Sequence, residues 1–218
     1  MKVILFLLLT LNLYAITIID KPIDFDKTRI ELTKEYILNR YGLNVEDISI
    51  NPRIIVIHWT SVNDFDISYS RFEGSKLPQD RAQIKKASLL NVSAHFMIDA
   101  DGNIYRLMKD TMMARHVIGL NYNSIGIENV GGEGSIDNLT PAQLKSNIEL
   151  ITYLQNRHQS IDHLIGHHEY SLCTDKTLWL EKDKDYRTKK YDPGENFMQK
   201  LRAHFPSLKH CKKNTNDQ

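Results

Sequence analysis

Ile54-Ile55-Val56-Ile57 is an unbroken β-branched run, which reads as a strand buried on both faces. Strand character returns from Val92 to Ile98. Asp99-Ala100-Asp101-Gly102 is then a turn signal before Ile104-Tyr105-Arg106-Leu107, so the two segments are predicted to form a hairpin. Ser124-Ile125-Gly126-Ile127-Glu128 is a further short strand, Gly131-Gly132-Glu133-Gly134 a flexible loop, and Ile161 to Ile165 another strand. The clearest helix starts at Thr140, an N-cap, with Pro141 in the first turn and Gln143 completing a capping box. Leu144, Ile148, Ile151, Tyr153 and Leu154 carry it to about His158. A second helical pattern opens at Asp26-Lys27-Thr28, runs through Ile30, Ile37, Leu38 and Tyr41, and meets Gly42 as its C-cap. Residues 61–91 are polar and read as loop, with one short helix near 80–90. Strands mixed with helices, without an internal repeat, predict one α/β (α+β) sheet domain.

At the N-terminus Lys2 precedes an apolar run from Val3 to Leu9, continued through Leu11 and Leu13 to a small residue, Ala15. That order describes a secretory leader, residues 1–15. The run is shorter than the roughly 20 apolar residues of a transmembrane helix. A buried strand or helix of the fold is the alternative reading. The composition is ordinary for a globular chain of 218 residues, with 41% hydrophobic and 25% charged. It excludes collagen-like, wholly disordered and multi-span membrane proteins. The formal charge of +1 offers no general field for nucleic acid, and loss of Lys2 with the leader would make the rest neutral. Cys173 and Cys211 are too few for a disulfide scaffold. In an oxidising compartment they could pair, worth about 4 kcal/mol for such a loop in the chain-entropy model; two free thiols are the other reading.

Nine histidines are generous for this length. His58 follows the buried strand Ile54–Ile57, Glu128 ends the short strand that begins at Ser124, and His167 follows the last. Polar groups that end buried strands gather on one rim of a sheet, where clefts form. Further on, Lys190 and Asp192 precede Pro193-Gly194, a turn that holds Asp192 extended and puts both side chains on one side. Such a pair is either a weak surface ion pair or a metal ligand with a cationic neighbour.

Taken together, Ile55-Val56-Ile57-His58-Trp59-Thr60, Val92-Ser93-Ala94-His95-Phe96, Ala114-Arg115-His116, Ser124 to Glu128, Gly166-His167 and Lys190 to Gly194 resemble the zinc-dependent N-acetylmuramoyl-L-alanine amidases. These peptidoglycan amidases share a fold with the peptidoglycan recognition proteins, and the similarity spans about residues 50–205. The resemblance implies a mixed sheet flanked by helices and one Zn2+ per chain, held by His58, His167 and Asp192. A shift from His167 to His168, or a cysteine ligand at Cys173, are the alternatives. Three ligands leave the open position that marks catalytic zinc. It further implies Glu128 as catalytic acid/base and Lys190 as support for the developing oxyanion. His116 matches a groove-lining histidine, either in contact with substrate or structural; His95 reads as structural. Ala94 departs from the tyrosine of phage-type relatives, and Arg115 from a frequent tryptophan.

The implied organisation is a leader over 1–15, an arm with a helix over 16–49, a catalytic domain over 50–210 and a polar tail over 211–218. The implied function is hydrolysis of the muramoyl–L-alanine amide of peptidoglycan or muropeptides by an exported, periplasmic or secreted monomer. Neither nucleic acid nor a stable membrane anchor is expected as a partner. A non-catalytic peptidoglycan-binding module, or a zinc peptidase acting within the stem peptide, would be the rival functions.

Overall fold

In the computed structural model the described residues are 16–211, apart from Asp80, Gly134 and Ser135. The expected leader and the tail beyond Cys211 lie outside them. All six residues of β2 (Ile54–Trp59) are buried, as an unbroken β-branched run demands. It lies between β5 (Ser124–Asn129) and β6 (His163–Gly166), parallel to both. With β1 (Ile18–Asp20), β3 (Phe96–Ile98) and β4 (Ile104–Arg106) these form one six-stranded sheet in the order β1-β4-β3-β5-β2-β6. The β3–β4 hairpin is antiparallel and every other pairing is parallel, so the sheet is mixed.

Alternation along the strands divides the core in two. Ile55, Ile57, Ile125, Ile127 and Leu164 face α4 (Pro141–Arg157) and α5 (Glu195–Arg202). Ile54, Val56 and Ile165 face the opposite way, onto Leu120, Tyr170 and Leu178. That second face carries the site. The capping box of α4 forms as expected, with Thr140 Oγ1 accepting from Gln143 N–H and Gln143 Oε1 accepting from Thr140 N–H.

Three local expectations change and one holds. β2 continues through His58 and Trp59, because its ladder with β5 runs on to Trp59 and Asn129. The strand expected from Val92 is confined to Phe96–Ile98; Ser93 N–H donates instead to the Arg115 carbonyl, 2.9 Å away. Within the segment read as loop stands α2 (Phe65–Glu73), capped by Asp64 and marked by Phe65, Tyr69 and Phe72 at helical spacing. The short helix lies within the expected span as α3 (Ala82–Lys85).

The arm is tied down at both ends. α1 (Lys27–Tyr36) is capped by Asp26, continues into a π turn over Ile37–Tyr41 and stops at Gly42, whose φ of 74° suits glycine. Arg29, buried in α1, donates to the carbonyls of Phe72, Glu73 and Gly74 at the end of α2. Arg40 makes a two-pronged contact with the buried Glu181 carboxylate (2.9 and 3.0 Å) and lies 4.3 Å over the Tyr186 ring. Cys173 and Cys211 form a disulfide, which pins the C-terminal end to the second core face.

Candidate active site

His58 and Glu128 are register partners across the β2–β5 ladder, and Gly166, opposite Ile57, hands the next position to His167. Three neighbouring parallel strands thus deliver three polar side chains at their carboxyl ends, on the second face. Packing fixes them there. Asn147 of α4 donates to Asn129 Oδ1 (2.7 Å), and Asn129 Nδ2 donates to the His58 carbonyl (3.0 Å). Glu169 Oε2 accepts from the Gly166 N–H (2.7 Å) and from Arg202.

Asp192 arrives from a segment without regular structure. His168 holds it, its backbone N–H and Nδ1–H both donating to the Asp192 carbonyl (2.9 and 3.0 Å). The Asp192 carboxylate is left to face the two other groups. His58 Nδ1 and His167 Nδ1 are 2.9 Å apart, His167 Nδ1 is 2.9 Å from Asp192 Oδ2, and His58 Nδ1 is 3.2 Å from it. A tetrahedron with bonds of about 2.0 Å has edges of roughly 3.3 Å, so this buried triangle of two nitrogens and one oxygen fits a zinc ion. His168 is outside the triangle, and Cys173 is spent in the disulfide.

Electrostatics suit the same reading. Burial, reinforced by His167, lowers the His58 pKa to about 4 against the pull of Asp192, so its imidazole is neutral at pH 7. Burial raises Asp192, yet His167 and His58 outweigh it and hold the carboxylate ionised. Glu128 is the opposite case: burial first, then Asp192, push its pKa well above the ordinary value, against Lys190 and Arg81. Its Oε2 is buried without a hydrogen-bond partner. Such an atom costs about 1–3 kcal/mol and calls for an explanation, of which a catalytic role is one.

Beside the triangle lies a cavity of about 80 Å³, lined among others by Tyr36, His116, His167, Tyr186 and Lys190. His116 is half-buried there, but both of its ring nitrogens are engaged: Nδ1 lies 3.0 Å from His58 Nε2, and Nε2 lies 3.2 Å from Ser124 Oγ. His95 is structural, accepting at Nδ1 from the Gly126 N–H and donating from Nε2 to the Met112 carbonyl. Ala94 is buried in a separate apolar cluster.

The family profile described as N-acetylmuramoyl-L-alanine amidase matches residues 49–195. The chain belongs to that family. The endolysin of Escherichia phage T7 is 35% identical over 107 residues, 45% of this chain and 70% of the endolysin. The amidase LysC of Clostridium intestinale, 22% identical, superposes with a TM-score of 0.52 over 89% of this chain and all of that one. The ectodomains of peptidoglycan recognition proteins LCa and LCx bound to tracheal cytotoxin, 16% identical, give 0.51 over 73% of this chain and 86% of theirs. These two likenesses establish the fold. The amidase hydrolyses the bond between N-acetylmuramic acid and L-alanine in peptidoglycan.

The arm, residues 16–48, precedes the matched region, yet it enters the amidase's site. Tyr36 forms part of the cavity wall and stands 5.3 Å beneath the Arg115 guanidinium. Arg115 in turn donates to the carbonyls of Ile84, Ser88 and Leu90 and so fastens the loop that carries α3. Tyr36 and Tyr186 were not among the expected site residues; they line the cavity through long-range packing, with Arg40 of the arm lying over the Tyr186 ring. Ser124 was not singled out either, although on a strand that ends in Glu128 residues 124, 126 and 128 share a face.

Proposed function

We propose that the amidase is an exported zinc enzyme in which His58, His167 and Asp192 hold the metal, Glu128 moves the proton and Lys190 supports the oxyanion. The observation that carries the reading is the buried triangle of ligand atoms with Glu128 in register beside His58. Zinc bound there would supply Lewis acidity, polarising the scissile carbonyl and lowering the pKa of water. The Glu128 carboxylate takes a proton from the attacking water as the carbon–oxygen bond forms. It then delivers that proton to the nitrogen of L-alanine, so that the carbon–nitrogen bond breaks to a neutral amine. Lys190 lines the cavity with His167, and its charge is felt at both His58 and Glu128. Both facts support Lys190 as the ammonium that steadies the carbonyl oxygen as it gains charge.

Purified sacculi and soluble muropeptides, digested with the full chain, test the chemistry by mass spectrometry of the new termini. A free lactyl carboxyl on muramic acid and a free α-amine on L-alanine are expected. Cuts confined to the stem peptide would make the enzyme a peptidase, and binding without cuts would make it a recognition module.

Export is supported by the leader pattern over 1–15 and by a disulfide, which persists in oxidising compartments. Among the described residues no helix is long and apolar enough to cross a membrane. Amino-terminal sequencing of the native protein is expected to begin near Ile16, and an intact Met1 on cytoplasmic protein would overturn export.

A further inference from the structure

We infer that His116 and Ser124 are positioning residues that fix the tautomer of His58 and so aim its Nδ1 lone pair at the metal; the inference rests on the zinc reading above. The hydrogen bonds on the far side of the His58 ring run in one direction. The Leu120 carbonyl can only accept, and Ser124 Oγ gives it the hydroxyl proton across 2.8 Å. The Ser124 oxygen must therefore accept from His116 Nε2, 3.2 Å away, which places the His116 proton on Nε2. His116 Nδ1 is then a lone pair, 3.0 Å from His58 Nε2, and His58 must donate to it. With its proton held on Nε2, His58 keeps a free lone pair on Nδ1, the atom that faces His167 and Asp192. A backbone carbonyl thus sets, through two side chains, which nitrogen of a third is left for the ion.

The sequence builds this relay into one strand. Ser124, Gly126 and Glu128 share a face of β5. Ser124 receives the His116 ring, and Gly126 lets it lie on the strand: a Cβ at 126 would come within 2.7 Å of His116 Cγ. Backbone contacts hold His116 independently of its ring, because Asn121 Oδ1 accepts from the N–H groups of His116 and Val117 (2.9 and 2.7 Å). Removing the imidazole therefore leaves the loop in place.

The test measures zinc affinity by competition with a chromophoric chelator on the full chain, with histidine ¹⁵N NMR of the zinc-free protein to locate each ring proton. Partners that orient a ligating histidine typically contribute 10- to 100-fold in metal affinity. His116→Ala is expected to weaken zinc by about that much, at a melting temperature near that of the parent. His116→Asn, whose amide oxygen can stand where Nδ1 stood, should recover most of the loss. Ser124→Ala should weaken zinc less and leave His116 as a mixture of tautomers. In the parent, His58 and His116 should both carry the proton on Nε2. Parental zinc affinity in folded His116→Ala, or a proton on His116 Nδ1 in the parent, would overturn the relay. If His58→Ala itself keeps parental affinity, the ligand set has failed and the inference falls with it, a result distinct from dependence on His58 without dependence on His116.

Discussion

Glu128→Gln is expected to lower kcat by at least about a hundredfold while zinc content and substrate binding stay near those of the parent. Gln keeps the size of the side chain and one acceptor oxygen, but it cannot carry the proton. An amine leaves poorly unless protonated, and a positioned acid/base supplies roughly 10² to 10⁴ in rate, or about 3 to 5 kcal/mol of barrier. The surroundings of Glu128 favour proton transfer. Burial, then Asp192, raise its pKa, so the carboxyl both takes and returns a proton more readily near neutral pH. The same shift fixes a sign. A carboxyl whose pKa is higher folded than unfolded contributes stability below the unfolded value, and the contribution is lost as pH rises through the folded one. The zinc-free parent should therefore lose stability as pH rises from about 4.5, and Glu128→Gln should lose less. Steady-state hydrolysis of a muropeptide, elemental analysis and melting curves read all of this. Near-normal turnover by a folded, zinc-replete variant would remove Glu128 from the mechanism.

The parts of the site that local pattern makes visible are those at strand ends. His58, Glu128 and His167 stand where buried apolar runs stop, and parallel pairing brings such positions together without further information. Asp192 has no strand to announce it. It reaches the triangle through His168 and a turn; the Pro193-Gly194 turn marked it as either an ion-pair partner or a metal ligand, and the resemblance to the amidases chose between the two. His116 was visible as a residue, but its partners were not, because a relay through His58 and Ser124 depends on how a loop folds onto β5. The arm was hardest to place. β1 is three residues long and mostly exposed, so it lacks the periodicity that marks a strand. Arg40 meets Glu181 across 141 positions of sequence. Long-range packing of this kind is set by the tertiary fold, whereas α2 carried local signals, the Asp64 cap and the spacing of Phe65, Tyr69 and Phe72, that its polar surroundings masked.

Stripping zinc should change stability as much as activity, and Asp192→Ala should abolish the difference. An ion that binds only the folded chain stabilises it by about 4 kcal/mol at a free concentration a thousandfold above its Kd. For a domain of this size each kcal/mol moves Tm by about 2–4 °C, so the parent should melt roughly 8–16 °C higher in excess zinc than in a chelator. Asp192→Ala removes the one anionic member of the proposed ligand set and leaves the His58 and His167 rings, whose Nδ1 atoms are 2.9 Å apart. Its affinity should fall by more than the 10- to 100-fold typical of an orienting partner, with turnover falling alongside. Asp192→Asn separates charge from shape: it keeps the carbonyl that His168 binds and an oxygen beside His167, but not the negative charge that balances a dication. It should bind zinc better than Asp192→Ala and much worse than the parent. Cys173 cannot take over as third ligand, since it is bonded to Cys211. If Asp192→Ala keeps both the parental zinc-dependent rise in Tm and parental turnover, the carboxylate is not a ligand, and the metal would have to be held by His58 and His167 with some group other than Asp192.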